Sequence, residues 1–448
     1  MYSYAPENIV ALATPPGLGA LAIIRLSGFD LSSTYRSFSH KNPIDRRAVF
    51  SNIYHPKSNK LLDEAVITYF KAPNSFTGED VVEISCHGGL MVPHSIIIAA
   101  IDNGARKANP GEFSFRAFLN GKLDLLQAEG ISSLISSKSQ LSTDVSLYHL
   151  RGRVSDSLSE IKSDALNILS IIENELNFSE DEINLTSYSE LLKKMIKIQS
   201  KVNSITDATA FGKQLLSGFR VVILGRPNSG KSSLYNAILG FDKAIVSNLP
   251  GTTRDTVESY FELKGVPICL IDTAGVWESD DFLNTLGIQK TMEALEQADL
   301  CLLVDDDDPS ALLNANISSK LNEHYVLIKS KCDNLDLTVN DHNNIISISS
   351  KNGIGIDSLL TYLSTYISNR VDSSIVLDRI LVTKRQRKLL QSSLYSINDI
   401  IEQLRSNVQA DIIASSLRGF VISIKDVIGE IPNRDVLNHI FSNFCVGK

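Results

Sequence analysis

At 448 residues, 43% hydrophobic and 21% charged, the composition is ordinary for a soluble globular protein with room for two to four cored domains. The net charge of −8 argues against nucleic-acid binding through overall charge, so any RNA contact needs a local basic patch or a partner that supplies one. Five cysteines (Cys86, Cys269, Cys301, Cys332 and Cys445) are scattered and odd in number, which excludes a disulfide framework or a zinc pattern and fits a reducing compartment. The segment Met1-Tyr2-Ser3-Tyr4-Ala5-Pro6-Glu7 lacks a basic stretch followed by an apolar one, and no apolar run approaches membrane-spanning length. The expected location is the cytoplasm, with no membrane partner.

In chain order, residues 1 to about 118 are mixed in texture. Strand-like runs at 20–25, 65–70 and 81–86 are separated by the turn signals Pro15-Pro16-Gly17, Pro73-Asn74-Ser75 and Gly88-Gly89. From Leu119 to about 217 the pattern turns helical: no proline occurs between Pro110 and Pro227, and Ile161, Ala165, Ile168 and Ile172 recur at helical spacing. Residues 218–374 alternate strands and helices, with strands expected at 221–224, 268–271, 300–304, 325–328 and 345–348. That alternation implies a mainly parallel sheet covered on both faces. Helical texture returns over about 378–441, where Leu390, Leu394, Ile397, Ile401, Leu404 and Val408 form one stripe.

The expected architecture is multidomain α/β plus all-α. An N-terminal α+β domain occupies 1–118. A discontinuous helical domain takes 119–217 and 375–448, and an α/β domain of 218–374 is inserted into it. Two separate helical bundles are the alternative.

Within the α/β segment, Gly225-Arg226-Pro227-Asn228-Ser229-Gly230-Lys231-Ser232 is a phosphate-binding loop, followed by Ser233 at the first turn of a helix. Strand, glycine loop and helix together aim backbone N–H groups and a helix dipole at a triphosphate. Lys231 reaches the β/γ oxygens, and Ser232 ligates Mg²⁺.

Four further segments follow in the order of a Ras-like GTPase. Gly251-Thr252-Thr253-Arg254-Asp255 sits at the distance of a first switch, with Thr253 the candidate for Mg²⁺ and γ-phosphate sensing. Asp272-Thr273-Ala274-Gly275 follows a strand: Asp272 would hold a magnesium-bound water, and the Gly275 N–H would face the γ-phosphate. Ser330-Lys331-Cys332-Asp333 follows another strand. Asp333 accepts from N1–H and the 2-amino group of guanine, which adenine does not satisfy. Ser349-Ser350-Lys351 supports the base from a loop. The usual guanine-reading pattern is N-K-x-D. Here Ser330 replaces the Asn; being shorter, it is expected not to bridge to the phosphate loop as an amide does, and to weaken affinity somewhat.

These motifs resemble the bacterial and organellar tRNA modification GTPases of the MnmE/TrmE family over essentially the whole chain. The resemblance extends outside the GTPase core to Ala13-Thr14-Pro15-Pro16-Gly17, Pro73-Asn74-Ser75-Phe76-Thr77-Gly78-Glu79-Asp80, His87-Gly88-Gly89, Pro110-Gly111-Glu112-Phe113-Ser114 and Ala117-Phe118-Leu119-Asn120-Gly121-Lys122-Leu123-Asp124. Its last segment is Phe441-Ser442-Asn443-Phe444-Cys445-Val446-Gly447-Lys448, where the family usually has C-I-G-K and this chain has Val446 for the Ile.

The resemblance implies an N-terminal domain that dimerises and binds 5-formyltetrahydrofolate or a related one-carbon folate. By the same likeness Arg25, Glu83, Lys122 and Lys448 would contact it. It implies a homodimer working with a flavin-dependent subunit (MnmG/GidA), in a heterotetramer or larger, on the wobble uridine of tRNA. It also implies K⁺ activation, with Asn228, Ser247, Leu249 and Thr252 around the ion. Cys445 is a catalytic candidate beside the folate, or simply a small apolar residue. The family's water-orienting Glu corresponds to Asn284 here, with Glu278, Asp280 and Asp281 nearby, so GTP binding is better supported than fast hydrolysis. The rival readings are an Era- or Der-type ribosome-assembly GTPase and a GTP-binding switch with weak or no hydrolysis. The basic run Lys384-Arg385-Gln386-Arg387-Lys388 is either a solvated helix face or a tRNA contact.

Overall fold

The computed structural model describes residues 7–177, 187–240, 257–272, 293–313, 324–333, 345–369, 380–381, 383–430, 434–442, 444 and 447. The chain divides into two compact units. The first comprises Met1–Ser132, His149–Ile198 and Ser392–Lys448; the second comprises Ser133–Tyr148 and Gln199–Gln391.

The first unit opens with β1 (Ile9–Leu12), β2 (Leu21–Gly28), α1 (Leu31–Ser39), β3 (Val49–Tyr54), β4 (Leu61–Phe70), β5 (Asp80–His87), α2 (Met91–Asp102) and β6 (Arg106–Lys107). The six strands form one sheet in the order β3-β4-β5-β2-β1-β6, antiparallel throughout except for β1 with β6. Alternate residues of three strands (Ala22, Ile24 and Leu26; Ala65, Ile67 and Tyr69; Val82, Ile84 and Cys86) share a buried cluster with Tyr35 and Phe38 of α1 and Ile96 of α2. Period-two burial on one face is what a half-covered antiparallel sheet requires. The three expected runs lie in β2, β4 and β5. Strands β1, β3 and β6 went unanticipated because each is short and carries no long alternation.

Helices follow: α3 (Glu112–Leu119), α4 (Leu125–Ile135), α5 (Gln140–Leu150), α6 (Arg153–Asn177) and α7 (Tyr188–Ser217). The second unit contains β7 (Phe219–Gly225), α8 (Lys231–Leu239), β8 (Val257–Leu263), β9 (Val266–Asp272), β10 (Leu300–Asp305), a 3₁₀ turn at Pro309–Leu312, β11 (Tyr325–Lys329), β12 (Ile345–Ser347) and α9 (Ile356–Ser368). The chain continues with α10 (Lys384–Arg405), α11 (Ala410–Ile428) and α12 (Arg434–Ser442).

The sheet of the second unit has the order β12-β11-β10-β7-β9-β8, parallel except for the edge strand β8. Its two faces are separately packed. Val221 and Ile223 join Leu234 and Ile238 of α8 and Leu359 and Leu363 of α9, whereas Val222 and Leu224 join Cys269, Cys301 and Leu295. Continuous apolar runs buried on both sides are the signature of a parallel strand, and all five expected strands are present. Ile348 falls just beyond β12. Strand β8 escaped notice because Val257-Glu258-Ser259-Tyr260-Phe261-Glu262-Leu263 is neither an unbroken apolar run nor a strict alternation of polar and apolar residues.

In the first unit α6 packs along α11. Ile161, Ala165, Ile168 and Ile172 are buried, as are Leu417, Phe420 and Ile424 of α11. On α10, Leu390, Ile397, Ile401 and Leu404 are buried. Val408 lies past the end of that helix, near Asn407 with its left-handed φ of 51°.

Candidate functional site

The phosphate loop leaves the C-terminal end of β7, in the middle of the parallel sheet, where open α/β sheets bind their ligands. Asn228 (φ 61°) and Gly230 (φ 90°) take left-handed conformations, so the backbone doubles back on itself before α8 begins at Lys231. The loop closes locally through the Ser229 N–H to the Arg226 carbonyl at 3.2 Å. Lys231, almost fully buried, lays its ammonium on the same Arg226 carbonyl at 2.6 Å. Ser233 is exposed on the first turn of α8.

Two elements meet beside the loop. Ser232 Oγ, one residue into α8, donates to Asp272 Oδ2, the last residue of β9, at 3.1 Å. A hydroxyl and a carboxylate at that spacing are hard oxygen donors of the kind Mg²⁺ takes, so the residues present fit that ion. Tyr235, one turn further along α8, donates to Ser259 Oγ of β8 at 2.6 Å, and both residues are buried.

The segment expected to read the base follows β11. Here the structure corrects the sequence reading of Ser330. Its hydroxyl does reach the phosphate loop, donating to the Ser229 carbonyl at 2.6 Å in a buried contact. The shorter side chain suffices because the segment approaches closely: the Ser330 N–H is bound to the Asp305 carbonyl at 2.9 Å. Lys331, at φ 58°, turns its ammonium onto Asp306 Oδ2 at 2.8 Å, and this contact holds the Asp306 carboxyl below its ordinary value. Asp333 Oδ1 accepts from Ser349 Oγ at 2.5 Å. Ser349 is itself fixed by its N–H to the Ile354 carbonyl, and its hydroxyl also accepts from the Asn352 N–H. Ser350 is half-buried and Lys351 exposed in the same loop. The structure thus brings together Ser229 with Ser330, Ser232 with Asp272, and Asp333 with Ser349.

Sequence reasoning missed Asp305, which sits almost fully buried at the end of β10. Its Oδ1 accepts the Asp307 and Asp308 N–H groups, and Oδ2 lies 3.6 Å from Arg226 Nε. Its signal was available: it is the first polar residue after the apolar run of β10. Ser247, Leu249, Thr252, Thr253, Thr273, Ala274, Gly275, Asn284, Cys445 and Lys448 lie outside the described residues.

A second cluster lies on the N-terminal sheet. Arg25 of β2 and Glu83 of β5 are register partners. The guanidinium meets Glu83 Oε1 through Nε at 2.8 Å and through its terminal nitrogen at 2.7 Å. Its other arm donates to the Gly447 carbonyl at 3.2 Å, and the Phe76 and Phe113 rings flank it at 5.8 and 5.9 Å. Gly447 (φ 93°) lies so close to β1 that a Cβ there would come within 2.4 Å of the Leu12 carbonyl. Lys122 projects from the turn before α4, its stem beside Gly78. That turn is fixed by a reciprocal cap between Asp124 and Gln127, each side chain accepting the other's N–H at 2.8–2.9 Å.

Comparison with known proteins matches the chain over nearly its whole length. The family described as the MnmE helical domain matches residues 125–445, and the one described as the GTP-binding protein TrmE N-terminus matches residues 8–122. A protein described as tRNA modification GTPase MnmE from Cytophaga hutchinsonii is 35% identical over 457 residues, covering 99% of this chain and 98% of its own. Proteins of the same description from Dichelobacter nodosus and Aquifex aeolicus are 36% and 34% identical, each over 99% of this chain and 100% of their own.

Proposed function

The chain belongs to the MnmE family of tRNA modification GTPases, and from that premise we propose that it is the potassium-activated member of a two-protein wobble-uridine enzyme. It is a GTP hydrolase. In the proposed reaction it acts with a flavin-dependent subunit (MnmG/GidA) to form 5-carboxymethylaminomethyl- or aminomethyl-uridine in tRNA. The active form would be a homodimer joined to that subunit in a heterotetramer or larger assembly in the cytoplasm. No described helix is long and apolar enough to cross a membrane.

The observation that carries the nucleotide half of this reading is the Ser229–Ser330 hydrogen bond, which ties the phosphate loop to the base-reading segment. Held in that way, Asp333 presents a carboxylate to the donor edge of guanine, and Lys231 stands inside the loop that wraps the β- and γ-phosphates. Ser232, with Asp272 beside it and Thr253 from the preceding segment, would hold Mg²⁺, which neutralises phosphate charge when bound. Asn228, Ser247, Leu249 and Thr252 would hold K⁺ at the same phosphates, in the place of an arginine finger. Thr273, Ala274 and Gly275 would close on the γ-phosphate, and Ser350 and Lys351 would border the base.

For the folate, the donor set at the second cluster fits the ligand class. Glu83 would offer an acceptor to the donor edge of a pterin, Arg25 and Lys122 cations to its carboxylates, as would Lys448 from beyond the described residues, and Phe76 borders the site with exposed aromatic surface. Cys445, outside the described residues, is kept as the catalytic candidate beside the folate. The domain reading we propose is 1–118, 119–217, 218–374 and 375–448, with the GTPase domain inserted into the helical one.

The test is single-turnover GTP hydrolysis by the full chain in KCl and in NaCl. Faster hydrolysis in potassium is expected. Equal rates in the two salts would remove the potassium site, and nucleotide binding without hydrolysis in either would favour a GTP-binding switch.

A further inference from the structure

The hairpin of β8 and β9 is held at both of its ends, and the two holds face different parts of the second unit. Its tip is a tight two-residue turn, Lys264 (φ 49°) and Gly265 (φ 86°), with Leu263 paired to Val266. At the nucleotide end, Ser259 accepts from Tyr235 and Asp272 accepts from Ser232. Both donors stand on α8, the helix that opens with Lys231. The hairpin is therefore fastened to the element that answers most directly to phosphate occupancy.

From mid-strand to the tip, the fastening is to residues 138–145. The Lys138 ammonium stands 3.1 Å from the centroid of the Tyr260 ring. Burial against this surface pushes the Lys138 pKa down. Glu262 Oε2 accepts the Gln140 N–H at 2.9 Å, which places a carboxylate on the positive end of α5. Leu141 packs beside Gly265, and Val145 is buried in the same cluster as Phe261, Val266 and Ile268. Tyr260 and Glu262 point away from Ser259 and Phe261, as strand alternation requires, so the edge strand is gripped on both faces.

We propose that residues 138–141 are a sensor for the nucleotide state, read through the β8–β9 hairpin. The inference rests on the GTPase reading above. A shift of Asp272 or Ser259 relative to α8 displaces a short, stiff hairpin. The displacement alters the Glu262–Gln140 contact near its tip and the Lys138–Tyr260 contact at mid-strand, both of which break with small movement. The warrant is physical continuity: one short hairpin is fastened both to α8 and to residues 138–145.

Hydrogen exchange on the full chain tests this, with GDP and with guanosine 5′-[β,γ-imido]triphosphate as probes. Amides of 140–146 are expected to differ between the two nucleotides by about threefold or more in exchange rate, along with those of β8 and β9. Lys138→Met combined with Glu262→Met, which removes the acceptor, is expected to keep both nucleotides bound and to abolish the difference at 140–146. Tyr260→Phe keeps the ring face and is expected to preserve it. If both nucleotides bind and alter exchange in α8 while 140–146 stay the same, the proposal is overturned and the GTPase reading stands. If neither nucleotide binds, that reading fails first.

Discussion

The Ser330 hydroxyl donates to the carbonyl of Ser229, 101 positions earlier in the chain, across 2.6 Å. Both residues are buried, at 3% and 1% exposure, so water cannot replace the donor. Close approach makes the short side chain sufficient: a Cβ on Gly230 would already lie 3.5 Å from Ser330 Oγ. Ser330→Ala removes the donor from a buried carbonyl at a cost of about 1–1.5 kcal/mol. Affinity for GDP is therefore expected to fall about five- to tenfold, read by titration with a fluorescent GDP analogue. Unchanged affinity would show that the contact does not support the phosphate loop.

Base selectivity is expected to rest on Asp333. Ser349 holds one of its oxygens at 2.5 Å, which orients the carboxylate. Asp333→Asn turns an acceptor into a donor, so the preferred base edge becomes that of xanthine. Two charge-assisted hydrogen bonds lost to guanine amount to about 3 kcal/mol, or roughly a hundredfold in GTP affinity. Competition between GTP and xanthosine triphosphate measures the exchange. Equal binding of ATP and GTP by the unmodified protein would sink the guanine assignment.

Folate binding is expected to depend on Arg25 more than on Lys122. Arg25 already meets Glu83, Gly447 and two aromatic rings, whereas Lys122 is exposed. Calorimetry of the full chain with 5-formyltetrahydrofolate is expected to show binding that Arg25→Ala abolishes and Lys122→Ala weakens by about tenfold, as for one charged contact. Absence of heat from the folded, unmodified protein would remove the site.

The parallel strands were legible because each is an unbroken apolar run, and the phosphate loop because its glycine and lysine spacing has one geometric solution. The contacts that assemble the site were less legible. Ser330 looked too short on its own, and only the approach of two loops far apart in sequence makes it long enough. Tyr235 and Ser259 each read as ordinary element residues until strand β8, hidden because it carries neither a continuous apolar run nor strict alternation, puts them together. The Arg25–Glu83 pair was found by resemblance, and its meeting with Gly447 depends on a tail that no local pattern places against β1.

A buried charge network in the N-terminal part should make it acid-sensitive. Arg116, 3% exposed, binds Glu79 at 2.9 Å and Glu112 at 3.1 Å, and Glu112 also binds Arg106 at 2.7 Å. Burial alone would raise the Glu112 pKa, but the Arg106 guanidinium, the Asn109 N–H and Arg116 together bring it below its ordinary value of 4.5. A lowered folded-state pKa stabilises the fold above the unfolded value, and that contribution disappears as pH falls through the folded value. Stability is therefore expected to fall below about pH 4.5 through this group. Arg116→Met leaves two buried carboxylates short of their partner, at a cost of about 3–5 kcal/mol. Urea unfolding at pH 7 is expected to show that loss, and the acid transition is expected to move to higher pH. Matching midpoints in both experiments would show that the network is neutral to stability.

Hydrolysis is expected to be potassium-stimulated yet slower than in relatives that carry Glu at the position of Asn284. That residue lies outside the described part of the chain, so the argument is chemical. An amide hydrogen-bonds water but does not polarise it as a carboxylate does. Loss of one such orienting group costs about 3 kcal/mol of barrier, or roughly a hundredfold in rate. Asn284→Glu is therefore expected to raise turnover in potassium. It should leave GTP affinity nearly unchanged, because the contacts that hold the loop, Ser330 on Ser229 and Ser232 on Asp272, involve other residues. Single-turnover rates beside equilibrium titrations separate the two effects. If the substitution changes nothing while Glu278→Gln abolishes turnover, then Glu278 orients the water and the register assigned to Asn284 is wrong.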